Sequence, residues 1–167
     1  MASLPRRTVQ YWHDRGVITP INDNPIVYDN DGLILVRILA ALTNAHTRAS
    51  DGKSDASVSI GMVKEFSRIV RLCMADDECL HESERRAFQS ARQGKEAYFG
   101  ISMSTVSDGN SEWPWTFGAT NRHDAGNMAL HFLNDRPELG MTLINLAYCY
   151  NTAISSGVLF FENDTTQ

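Results

Sequence analysis

The sequence predicts an α+β protein that is mostly α-helical: a small head to residue 45, a linker over 46–57, and a helical body over 58–167 carrying a small β-hairpin at about 97–119. Three observations lead there. Apolar residues recur at helical spacing through most of the chain. The segment 97–119 is instead β-branched and aromatic, AYFGISMSTV and WPWTFGAT, with turn-forming SDGNSE between them. The stretch NAHTRASDGKSDAS, from Asn44 to Ser57, has no apolar residue larger than Ala and has the composition of a linker or surface loop.

The elements follow in order. Residues 4–16, LPRRTVQYWHDRG, read as a short helix with Val9 and Trp12 on one face, Pro5 in its first turn and Gly16 as its stop. INDNPIVY at 21–28 reads as a tight loop or short hairpin. The Asp29 carboxylate then caps a helix carrying Leu33, Leu35, Val36, Ile38, Leu39 and Leu42, apolar nearly all round. Beyond the linker, Ile60, Met62, Val63, Phe66, Ile69, Val70 and Cys73 keep a helical period, and a more polar helix covers about 80–94. After the hairpin, Asn121 with Asp124 three residues on caps a further helix. A last helix is expected over about 137–155, with GVLFF at 157–161 as a short strand joining the hairpin.

Composition narrows the function classes. No apolar run approaches the roughly 20 residues that span a bilayer, and MASLPRRT lacks the apolar stretch of a signal peptide, so a cytoplasmic protein without a membrane partner is expected. Cys73, Cys79 and Cys149 are expected to be reduced and mostly buried. A net charge of −5 argues against a general polyanion binder and confines nucleic-acid contact to a local basic patch. The first 15 residues hold one, where Arg6, Arg7 and Arg15 are opposed only by Asp14.

Arg7-Thr8-Val9-Gln10-Tyr11-Trp12, then Asp14-Arg15-Gly16-Val17-Ile18 and Pro20, resembles the recognition-helix half of the MerR family of winged helix-turn-helix regulators. Tyr28-Asp29-Asn30-Asp31 stands where that family opens the helix after its wing. The likeness covers residues 6–42 and implies a reduced winged-helix head with 5–16 as recognition helix. It implies that Arg6, Arg7, Thr8, Gln10, Tyr11 and Arg15 bind double-stranded DNA, with Trp12, Val9 and Val17 as core. Chemically, Arg pairs with guanine or clamps phosphate, Gln reads adenine, and Tyr reaches phosphates. Only three residues precede Leu4, so the family's first helix has no counterpart ahead of the motif; the 58–74 helix, or another protein, is expected in its place. The wing is short and has no Arg or Lys.

Other constellations are weaker. Cys73-x5-Cys79 with His81 matches no common zinc spacing, and His123 and His131 stand two helical turns apart, too far to share a metal, so neither metal nor cofactor is expected. No nucleophile-elbow motif, triad or phosphate loop supports an enzyme. Alternation sets Trp113, Trp115 and Phe117 on one face, either the packed side of a small sheet or the wall of a pocket for an apolar or cationic ligand or a partner. The expectation is therefore a sequence-specific DNA-binding transcriptional regulator, working as a homodimer. The alternative is a protein-interaction module, an anti-repressor or inhibitor of phage or mobile-element origin, whose head has lost DNA binding and which binds a protein partner.

Overall fold

The computed structural model describes residues 6–23, 26–49, 59–75, 81–103, 115–136 and 140–156. It is mostly helical, with a three-stranded antiparallel sheet and a two-stranded ribbon: the α+β, mostly α class expected. The chain forms two compact units, Met1–Met74 with Cys149–Gln167, and Ala75–Tyr148.

In the first unit, α1 (Arg6–Asp14) ends in a Schellman turn. Gly16 takes a left-handed φ of 68°, its N–H donates to the His13 carbonyl at 2.8 Å, and the Val17 N–H donates to the Trp12 carbonyl at 2.8 Å. The turn buries Trp12, Val17 and Ile18 while leaving the far side of α1 in solvent. β1 (Asn22–Asp23) and β2 (Ile26–Val27) form the expected hairpin in antiparallel register. The Asp29 carboxylate accepts from the Gly32 N–H at 2.7 Å, capping α2 (Asn30–Ala49) as its position predicts. Ile38, Leu39 and Leu42 of α2 are fully buried.

Helix α3 (Ile60–Met74) packs on α2 and buries Val63, Phe66, Ile69, Val70 and Cys73. Its Ser67 hydroxyl, itself buried, donates to the Val17 carbonyl at 2.6 Å, and the Arg71 guanidinium reaches the same oxygen at 3.4 Å. Helix α3 thus sits against the turn that ends α1. The first compact unit comprises Met1–Met74 with Cys149–Gln167. Helix α2 continues to Ala49, into the segment read as linker; 50–58 lie outside the described residues.

In the second unit, α4 (Glu82–Arg92) precedes β3 (Tyr98–Met103) and β4 (Thr116–Ala119), which pair antiparallel as the 97–119 hairpin predicts. Helix α5 (Arg122–Asp135) is capped by the Asn121 side chain, which accepts from the Asp124 N–H at 2.9 Å. One expectation is corrected here. The segment read as a single helix from 137 to 155 is a strand, β5 (Gly140–Asn145), followed by α6 (Leu146–Ser156), whose residues from Cys149 on belong to the first unit. Gly140-Met-Thr-Leu-Ile-Asn pairs along the whole of β3, with Ile144 buried and Leu143 turned outward, a period of two. The Asn145 carboxamide oxygen accepts from the Tyr148 N–H at 3.0 Å, so one residue closes the strand and caps the helix. The third strand is therefore β5; GVLFF at 157–161 lies outside the described residues.

Two Phe-Gly pairs govern this sheet. Phe99 of β3 stands opposite Gly118 of β4, and Gly100 stands opposite Phe117, so each ring lies across a residue without a side chain. A Cβ on Gly100 would meet the Phe117 ring at 2.3 Å. On the other face, a Cβ on Gly118 would stand 2.2 Å from the Ser83 carbonyl and 2.7 Å from Ala87 Cβ. That absence lets α4 lie directly on β4, with Phe88 edge-on to Phe99 at 5.5 Å. Helix α5 covers the opposite face, where Phe132 packs on Trp115 with ring centroids 5.9 Å apart.

Gly118→Ala should destabilise the protein by about 1–3 kcal/mol in urea unfolding, since overpacking against backbone outweighs the roughly 0.4–1 kcal/mol gained from a stiffer unfolded chain. Ser67→Ala should cost about 1–2 kcal/mol in the same measurement, because it takes a buried donor from the Val17 carbonyl.

Candidate nucleic-acid interface and a groove on the sheet

With Trp12 buried at 3% exposure, the helical period turns Arg7, Gln10, Tyr11, Asp14 and Arg15 outward together. Tyr11 is 46% exposed, and the Arg15 guanidinium lies 5.4 Å from its ring centroid, a cation–π contact that holds both groups on the open face. Thr8 is half-buried, and Val9, read as core, is also only half-buried. Arg6 opens the helix; its side chain is outside the described residues.

One feature of this face was missed in the sequence. The Gln10 amide donates to the Asp14 carboxylate at 2.8 Å and lies 3.4 Å from His13 Nδ1. Gln10 and Asp14 are four residues apart, so the pairing was legible as an i, i+4 contact. It holds the Gln10 side chain against the helix and sets a carboxylate among the cations.

The second candidate lies in the other unit. A groove of about 840 Å³ runs beside β4, walled by Trp115, Phe117, Met128 and Phe132, with His81, Ser83, Thr116, Asn127, His131, Asp135 and Arg136 also lining it. Trp115 is 61% exposed there. Trp115 and Phe117 share one face and border this groove, and Trp115 also packs on Phe132 of α5; Trp113 lies outside the described residues.

Beneath this wall sits Glu84, fully buried on a helix the sequence reads as polar. Its two carboxylate oxygens accept from the Thr116 hydroxyl at 2.7 Å and the Ser83 hydroxyl at 2.8 Å. Such bonds satisfy a group that is costly to bury alone. The three residues thereby tie α4 to β4.

Cys73 is buried in α3, His81 is exposed in the other unit, and Cys79 lies outside the described residues. His131 Nδ1 lies 3.1 Å from the Asp135 carboxylate, and His123 contacts Asn127 at 3.1 Å. Among the described residues no cluster of three metal-ligating side chains occurs. Burial pushes the Cys149 thiol up to about 11, only partly offset by the Arg37 charge. Since the thiolate is the nucleophile, peptide mapping after alkylation of the folded protein near pH 8 should find Cys149 unlabelled, and labelled once urea is added. No protein-family model, curated protein or solved structure matches this chain.

Proposed function

We propose that the protein is a sequence-specific DNA-binding transcriptional regulator that inserts α1 into the major groove as the recognition helix of a reduced winged-helix head. The observation that carries this reading is the solvent face of α1, where Arg7, Gln10, Tyr11 and Arg15 stand together, backed by buried Trp12, Val17 and Ile18. The order helix, β-ribbon, helix from Arg6 to Ala49 supports it, since the resemblance to the MerR head implies that order.

Physically, Arg7 and Arg15 supply phosphate or guanine contacts, Tyr11 reaches phosphate, and Gln10 contributes base reading. Asp14 restricts the head to sites where the arginine contacts outweigh its repulsion of phosphate. The working form is a homodimer, because one nine-residue helix buries too little surface for tight specific binding. Among the described residues no helix is long and apolar enough to cross a membrane, which accords with a cytoplasmic site of action.

The test is fluorescence anisotropy on labelled duplex fragments. Arg7→Ala should weaken specific binding by about 1–3 kcal/mol and relax preference at one base pair. Wild-type affinity should fall steeply between about 50 and about 200 mM salt as phosphate counterions are released. Absence of binding to every genomic fragment at about 50 mM salt would refute the regulator reading.

A further inference from the structure

We propose that α3 makes a second DNA contact beside the recognition helix, with Lys64 and Arg71 binding phosphates of the backbone that borders the groove entered by α1. The proposal rests on the regulator reading, to which it adds two residues from a different helix of the same compact unit.

Charge is the first argument. The chain carries a net charge of −5, yet α1 with its turn to Gly16 and α3 together hold six of its 15 Lys and Arg residues and only two of its 20 Asp and Glu residues. An acidic protein meets a polyanion through such a zone, and its remaining surface repels the polyanion, which orients the approach. On α3 the cations Lys64, Arg68 and Arg71 recur at i, i+4 and i+7 and are exposed, so they form one stripe.

The two carboxylates of the zone are already engaged. Asp14 accepts from the Gln10 amide, and both Glu65 oxygens accept from the Arg68 guanidinium. Arg68 is thereby committed to its own helix, as Arg86 is to Glu82 on α4. Lys64 and Arg71 differ: among the described residues neither pairs with a carboxylate. Arg71 rests at long range on two neutral oxygens, Ser67 Oγ at 3.3 Å and the Val17 carbonyl at 3.4 Å. Its charge is left for an anion, and a guanidinium binds phosphate more strongly than it binds neutral acceptors.

Placement is the second argument. Ser67 and Arg71 both touch the Val17 carbonyl, two residues past Arg15. Lys64 precedes Ser67 by three residues, which sets its Cβ about 5–6 Å from that of Ser67 on the helix surface. Arg15, Arg71 and Lys64 therefore gather about the C-terminal end of α1. A helix of nine residues is about 14 Å long and the major groove about 12 Å wide, so the end of α1 comes to the rim, where phosphates stand. The stripe thus meets the backbone while the earlier turns of α1 meet base edges.

The test is fluorescence anisotropy on the duplex that the wild type prefers, at salt between about 50 and about 200 mM. Lys64→Ala should reduce the slope of log affinity against log salt by about 0.9, the loss of one phosphate contact, with base preference unchanged. Adding Arg71→Gln, which keeps a donor for the Val17 carbonyl, should double that change. Lys95→Ala, an exposed site in the other unit, should leave the slope as it is. With single phosphates replaced by neutral methylphosphonates, at least one position should weaken the wild type and have no effect on Lys64→Ala. Lys64 is exposed, so its variant decides the matter alone where the Arg71 variant does not fold. Selective wild-type binding with an unchanged slope in Lys64→Ala, an equal loss in Lys95→Ala, or the same methylphosphonate response in both proteins overturns the proposal and leaves the regulator reading standing. Binding to no fragment overturns both.

Discussion

The first unit depends on how the Val17 carbonyl is satisfied. That oxygen lies just past a helix C-terminus, where carbonyls lack intrahelical partners, in a place closed to water. Ser67, fifty residues along the chain, brings the missing donor on the helix that also buries Phe66 and Val70. The bond fixes where α3 sits against the turn, and the turn fixes which side of α1 faces outward. Without α3, Trp12, Val17 and Ile18 would have less to pack on, and α1 less to hold it in one orientation.

Much of the chain was legible because its signals are local. Gly16, Asp29 and Asn121 each act within three or four residues of their own position, and each terminates or begins a helix where the sequence places it. The periods of α2, α3 and α4 are similarly local. β5 was misread because Leu143, Ile144, Leu146 and Ala147 also fit a helical face, and the strand that decides the matter, β3, lies some forty residues earlier.

The exposed residues of α1 were legible by the same logic, since burying Trp12 determines the opposite face. The groove was only half legible. Trp115 and Phe117 show in the hairpin pattern, but Met128 and Phe132 reach them from α5, and nothing in the spacing announces that meeting. Glu84 is the clearest failure of charge reading: in SERR it looks solvated, and its burial becomes intelligible only with Thr116, thirty-two residues away, to bind it.

The paired Phe-Gly steps have a consequence for how the sheet finds its alignment. In the observed register each ring meets a vacancy, and both helices can close on the sheet. Slipping β4 by one residue would set Phe99 against Phe117, turn the Phe117 ring to the wrong face, and bring a side chain to the spot where the Ser83 carbonyl now lies. Aliphatic strands of uniform size tolerate several alignments; these two strands fit one another as a key fits its ward. The hairpin is thereby held to a single pairing once α4 closes on it.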